Sequence, residues 1–268
     1  MTAAVARIVV HLKIWIAVLA EPPRVDPRWP SATRIAVAAA VAVTTIAAAM
    51  WLFDSWPIRH HGDIPRRVVI LFGAITDFGK SDWFLLPAGF LLLAIAAVAS
   101  PALGRMSYLV LMSLAARLGF IFLGIALPSL FTTIVKRMIG RARPLRIEGT
   151  DLYFSPFAWR VDFASLPSGH STTAFAAAAA LGALFPGARV ALWTYAVAIA
   201  LSRVVLRNHY PSDVIAGAIV GVCGALLVRR WFAARRLAFT VRPDASVRAL
   251  PGPSLQRIKE VAGRLAGQ

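Results

Sequence analysis

Three short stretches of this chain carry residues whose types and spacing suit the binding of an anion. Lys136 and Arg143 lie seven residues apart, a spacing that puts two side chains on one helix face, two turns apart. Pro144 discourages helix at Arg143 itself, so the reading is a helix that ends by presenting two cations. Pro167-Ser168-Gly169-His170 stands directly before an apolar run. Ser168 suits an N-cap, Gly169 permits close backbone approach, and His170 falls in the first turn, where free N–H groups and the positive end of the helix dipole attract an anion. Ser202-Arg203 is followed after five residues by His209, then by Tyr210-Pro211-Ser212-Asp213. Proline favours the first helical position, so Pro211 is expected to open a helix, with His209 just before it and the Asp213 carboxylate within reach of the imidazole.

Each feature also has a plainer reading. A histidine near a helix end is commonly a satisfied polar group, Asp213 could serve only as a cap, and a cluster of cations can be neutralised by lipid phosphates. Arg137, Arg141 and Arg207 are assigned either to lipid headgroups or to water. His60-His61 cannot share a helix face, so a solvated loop is expected there. Thr76 to Trp83 is polar and ends in an interfacial tryptophan; it either closes over a bound headgroup or caps the following helix through Ser81 or Asp82. No Gly-rich nucleotide loop and no His/Cys metal cluster is found, and the single cysteine, Cys223, excludes a disulfide scaffold and reads as packing.

The elements that must position these residues are apolar helices. Of 268 residues, 59% are hydrophobic and 15% charged, against about 45–50% and about 25% in a soluble domain. The mean hydropathy is +0.70. A spanning helix needs about 20 mostly apolar residues. Six such runs are read: Ile35–Phe53, Trp83–Gly104, Leu118–Val135 with a kink at Pro128, Ser171–Ala188, Val190–Leu206 and Pro211–Val228. Gly217 and Gly221 form a small-xxx-small pair, read as close helix packing or, alternatively, as part of a lateral gate for a lipid. Ala3–Ala20 carries Arg7, His11 and Lys13 and is expected to lie on the membrane surface. Val68–Thr76 is too short to span and is expected to be an interfacial piece.

The fold class is therefore an all-α integral membrane bundle of six transmembrane helices with an N-terminal interfacial helix. Its parts are an interfacial segment (1–30), the six-span domain (31–235) and a loose cytoplasmic tail (236–268). The net charge of +17 with a pI near 11.6 could suggest nucleic-acid binding, but the basic residues flank the apolar runs and gather after the last one, as topology signals do. That rule places both termini in the cytoplasm and segments 54–82, 136–170 and 207–211 outside. Lys136, Arg137, Arg141, Arg143, Arg146 and Arg160 then break the rule in an outward loop, which is why an anion site is expected there.

Together the three stretches resemble the type 2 phosphatidic acid phosphatase family, which also includes haloperoxidases and class A acid phosphatases. The family pattern is Lys-x6-Arg-Pro, Pro-Ser-Gly-His and Ser-Arg-x5-His-x3-Asp. It is matched at every position and in order by Lys136 to Pro144, Pro167 to His170 and Ser202 to Asp213. The resemblance covers 136–213 and the surrounding spans, and says nothing of 1–30 or 240–268. It implies hydrolysis of a lipid phosphate or diphosphate without metal or cofactor, at the periplasmic face of a bacterial inner membrane. His209 would be the nucleophile, Asp213 would hold its ring, and His170 would act as general acid and then as base. Lys136, Arg143, Arg203, Ser168 and the Gly169 amide would bind the phosphoryl oxygens. Undecaprenyl diphosphate, phosphatidylglycerophosphate, phosphatidic acid and a lipid A phosphate all fit as substrate, and membrane lipids are the expected surroundings. A lipid phosphotransferase and a non-catalytic lipid-phosphate binder or transporter are the alternatives. The physics is consistent with catalysis: phosphoryl transfer needs positioning and stabilisation of charge on the equatorial oxygens, which fixed cations supply.

Overall fold

Within a bilayer a backbone must satisfy its own polar groups, and this chain does so as helices. The computed structural model describes residues 3–146 and 153–266. In chain order the elements are α1 (Ala3–Ala20), α2 (Ala32–Phe53), α3 (Trp56–Arg59), α4 (Arg66–Thr76), α5 (Asp82–Val98), α6 (Arg105–Ile139), α7 (Gly169–Leu184), α8 (Arg189–Val205), α9 (Pro211–Ala234), β1 (Phe239–Val241), β2 (Val247–Ala249) and α10 (Leu255–Ala266). Among the described residues five helical runs are long and apolar enough to cross a membrane: Ala32–Phe53, Arg66–Val98, Arg105–Ile139, Pro186–Val205 and Pro211–Ala234. The fourth expected span, α7, has 16 residues, about 24 Å at 1.5 Å per residue, less than a hydrocarbon core of about 30 Å.

The chain divides into two units, Met1–Arg28 with Phe84–Leu123 and Leu227–Gln268, and Trp29–Trp83 with Gly124–Leu226. In the first, Phe120 is fully buried with its ring 5.7 Å from Phe232 and 4.6 Å from Phe239. Strands β1 and β2 pair antiparallel, with Phe239 opposite Ala249. Helix α10 is amphipathic and buries Val261 against Ala99, Val110 and Leu111, with Ile258 and Leu265 beside it. Arg117 donates to the Leu250 carbonyl at 2.8 Å. The region expected to be a loose tail is thus a docked hairpin and helix, because its apolar residues recur at helical spacing and bury together. Arg7 of α1 donates to the Ala97 carbonyl at 2.6 Å, and His11 is buried.

The second unit is built around α7, whose small residues leave it buried on nearly every side. Helix α9 approaches it closely: a Cβ at Gly217 would stand 2.5 Å from the Ser168 carbonyl, and one at Gly221 would land on the carbonyl of Thr172. These glycines therefore serve helix packing. Thr132 and Thr172 share a buried hydrogen bond of 3.0 Å between α6 and α7. Ala174, Ala178, Ala196 and Ile199 form a core between α7 and α8, with Ile75 of α4 packed on it. Helix α6 runs unbroken through Pro128, whose ring lies where a Cβ at Gly224 would meet it at 2.7 Å. Cys223, read as a packing residue, is exposed on α9.

Candidate active site

Helix α6 stops at Ile139, so Lys136 and Arg143 do not share a helix face as the seven-residue spacing suggested. Gly140 ends the helix with φ +64°, and a Cβ there would fall on the Ser155 carbonyl; glycine meets both demands. The chain then runs extended, with Ala142 N–H on the Tyr153 carbonyl, Arg143 N–H on the Asp162 carbonyl and Ser165 N–H on the Arg141 carbonyl, each at 3.0 Å. This frame carries Arg143 back within electrostatic range of Lys136. The rest of the expected outer loop, 147–152, lies outside the described residues.

Helix α7 opens at Gly169 with Ser168 at the N-cap. Ser168 makes no capping bond through its side chain; its hydroxyl accepts from Ser171 at 3.1 Å, and its N–H donates to the Asp213 carbonyl at 2.9 Å. The Lys136 ammonium stands beside Gly169, 3.8 Å from where its Cβ would be. His170 follows, half-buried, with Arg143, Arg203 and His209 close enough to act on its charge. Arg203 lies in the last turn of α8, and α9 begins at Pro211. The structure therefore gathers Lys136, Arg143, Ser168, Gly169, His170, Arg203, His209 and Asp213 at one end of the second unit.

Electrostatics favours the neutral form of both imidazoles. Burial, then Arg203, His209, Lys80 and Arg143, brings His170 down to about 3. Burial brings His209 down to about 4; Asp213 opposes this, while Arg203 and Arg143 add to it. The His209 Nδ1 lies 3.6 Å from Asp213 Oδ2, beyond hydrogen-bond length. The Asp213 carboxylate is engaged elsewhere: Oδ1 accepts from Arg141 Nη1 at 2.7 Å, and Oδ2 accepts from the Ser165 hydroxyl at 2.5 Å and the Tyr210 N–H at 2.9 Å.

Several neighbours of these groups take partners that the linear pattern did not give. Arg141, assigned to headgroups or water, is instead 1% exposed and ion-paired with both Asp213 and Asp54, at 2.7 Å each. Thr76 accepts from Arg203 at 2.6 Å and from Ser202 at 3.0 Å. The turn after it brings Gly79 against His170 and Ile199, and Lys80 pairs with Asp77 at 2.8 Å. Tyr195 and Trp83 donate to the Phe78 and Asp77 carbonyls at 2.8 and 3.0 Å. So the 76–83 stretch packs onto the site. Arg137 donates to the Trp159 carbonyl at 3.0 Å and lies within electrostatic range of Lys136. Arg207 is half-buried in the turn before His209, with φ +53°. His60 stacks on Trp56, ring centroids 5.3 Å apart. Among the described residues no three His, Cys, Asp or Glu side chains cluster as metal ligands.

Residues 117–237 match the PAP2 superfamily. A lipid A 1-phosphatase of Rhizobium etli is 34% identical over 214 residues, which cover 76% of this chain and 88% of that protein. A lipid A 1-phosphatase of Rhizobium johnstonii is 32% identical over 222 residues, covering 76% of this chain and 83% of that protein. Two solved structures are similar at 19% identity. Aquifex aeolicus LpxE matches 66% of this chain and 94% of that chain with a TM-score of 0.46. A transmembrane PAP2 type phosphatidylglycerolphosphate phosphatase from Bacillus subtilis matches 85% and 94% with a TM-score of 0.40.

Proposed function

The chain belongs to the PAP2 superfamily, and we propose that it is a membrane lipid phosphatase that hydrolyses a phosphate monoester of lipid A. The observation that carries this reading is the meeting of two neutral imidazoles with Lys136, Arg143 and Arg203 at the N-terminal end of α7. The identity with the two lipid A 1-phosphatases supports the substrate.

In this reading the three cations, the α7 N-terminus and the Gly169 amide grip the phosphoryl oxygens. His209 attacks phosphorus through Nε2, the nitrogen turned away from Asp213. His170 protonates the leaving oxygen. Burial and then the nearby cations hold His170 neutral; a bound phosphate supplies negative charge that offsets the cations, so His170 gains its proton as substrate arrives. Water then attacks the phosphohistidine with His170 as base. No metal or cofactor enters this scheme.

The membrane arrangement follows the same reading. Helix α7, sheathed in protein, acts as a sixth crossing beside the five long runs, α1 lies at the interface, and residues 236–268 form the cytoplasmic part. Six crossings with arginine-rich flanks put both termini in the cytoplasm and the site at the periplasmic face of the inner membrane. A lipid can then keep its acyl chains in the bilayer while its headgroup enters the site.

The test is phosphate release by the purified protein from lipid A 1-phosphate and 4′-phosphate, undecaprenyl diphosphate, phosphatidylglycerophosphate and phosphatidic acid, with and without excess chelator. Lipid A is expected to be turned over fastest, with chelator without effect. His209→Ala is expected to abolish turnover and the acid-labile phosphoprotein. Preference for another lipid, loss of activity in chelator, or full turnover by His209→Ala would overturn the substrate, the metal-free scheme and the nucleophile respectively.

A further inference from the structure

Behind His209, one buried guanidinium holds two carboxylates. Arg141 lies 87 residues from Asp54 and 72 from Asp213 in sequence. Its Nη2 donates to Asp54 Oδ2 at 2.7 Å. Its Nη1 donates to Asp213 Oδ1 and to the Ser212 hydroxyl, each at 2.7 Å. Its flat face covers the Tyr210 ring at 4.1 Å. Asp54 also accepts the Ser212 N–H at 3.0 Å and O–H at 2.6 Å. Such a group is expensive to take out of water, and for stability one carboxylate would suffice to neutralise Arg141. With both carboxylates ionised, the second leaves the trio with one net negative charge. That charge sits beside His209, which faces Asp213 from α9, Arg203 from α8, Arg143 from the segment after α6 and His170 from α7. Asp77 and Lys80 lie further out, near His170. Of the four groups that His209 faces, Asp213 alone is negative.

We infer that Asp54 is a positioning residue for phosphoryl transfer: by sharing Arg141 with Asp213 it leaves one net negative charge to balance the His209 ring as that ring becomes cationic. The inference rests on the phosphohistidine reading. In that step the Nε2 lone pair forms the N–P bond while the P–O bond to the leaving group breaks. The leaving oxygen takes a proton from His170. The His209 ring keeps its own proton on Nδ1 and gains one positive charge. With Asp54 neutralised, Arg141 and Asp213 cancel, and among the described residues no other buried carboxylate offsets that charge.

Rapid-quench measurement of phosphohistidine formation, with kcat and KM, tests this on the full chain in detergent micelles. Asp54→Asn is expected to slow formation roughly tenfold to a hundredfold with KM within about threefold, one pKa unit of lost balance being tenfold. The double variant Asp54→Asn with Arg141→Gln restores one net negative charge and is expected to recover most of the rate. A merely structural role predicts the reverse, since the double variant removes more hydrogen bonds. Asp54→Asn at the wild-type rate, or a double variant slower than the single, would overturn the inference. If Asp54→Asn fails to fold, the double variant decides alone: a rate within about tenfold of wild type supports the charge account and a larger loss overturns it. His209→Ala runs alongside; full turnover there sinks the phosphohistidine reading, whereas a dead His209→Ala with an unaffected Asp54→Asn sinks only the role of Asp54.

Discussion

Arg203 of α8 donates through Nη1 to the hydroxyl of Thr76, 2.6 Å away and 127 residues earlier in the chain. Thr76 also takes the Ser202 hydroxyl at 3.0 Å, so one threonine fixes both residues of the Ser-Arg pair. A hydrogen bond to a charged group is worth about 1.5–3 kcal/mol. Thr76→Val keeps the shape and removes the acceptor. Its KM for lipid phosphate and its inhibition constant for inorganic phosphate are expected to rise about tenfold, with a smaller change in kcat. Unchanged phosphate inhibition would show that Arg203 is held well enough without Thr76.

The placement of the three stretches at helix ends was legible because it follows from residues close in sequence: a serine before α7, a proline opening α9, a histidine four residues before an aspartate. Asp54 was not legible, and the 76–83 stretch and the cation cluster that includes Arg141 were marked without their partners, because each partner lies more than 70 residues away. The helices were legible from apolar run length, but α7 was read too long at its C-terminal end. Its alanines are small because α8 and α9 press on them.

Gly79 lies where a Cβ would stand 2.6 Å from Ile199 Cγ2 and 3.0 Å from His170 Cδ2. Gly79→Ala is expected to push His170 and to lower kcat by about tenfold, because small misplacements of a catalytic group are costly. Gly73→Ala on α4 is the control, with nothing within 4 Å of its Cβ. It is expected to keep full activity and to gain up to about 1 kcal/mol of helix propensity. Equal kcat in the two variants would separate Gly79 from the chemistry.

Gly217 and Gly221 give a different signature. A Cβ at either meets the backbone of α7, so alanine there should destabilise the protein by about 1–3 kcal/mol through overpacking. A lateral gate at this pair predicts that bulky substitutions slow a lipid substrate more than a short soluble phosphate ester. Tight packing predicts equal slowing of both, because the α7 segment displaced carries Ser168 and His170. Turnover of the two substrates, with melting temperatures, distinguishes these outcomes.

The two histidines set the pH behaviour. His209 falls to about 4 in the folded protein, with burial the main cause, against about 6.5 for a free imidazole. Between those values the unfolded chain binds more protons than the folded one, so stability rises with pH across the window. It is complete above about 6.5 and erodes as pH falls toward 4, by up to about 1.4 kcal/mol per pH unit for His209. His170, brought to about 3, adds a loss of the same sign that continues below 4. Melting temperature should therefore drop steadily from pH 7 to pH 4, and His209→Gln should flatten that slope. Ligand changes the second histidine in the opposite direction. Inorganic phosphate or vanadate among Lys136, Arg143 and Arg203 should raise His170 toward neutrality, readable as a shift of its ring resonances in a histidine-labelled sample. A His170 titration unmoved by saturating anion would mean that the phosphoryl group does not sit among these cations.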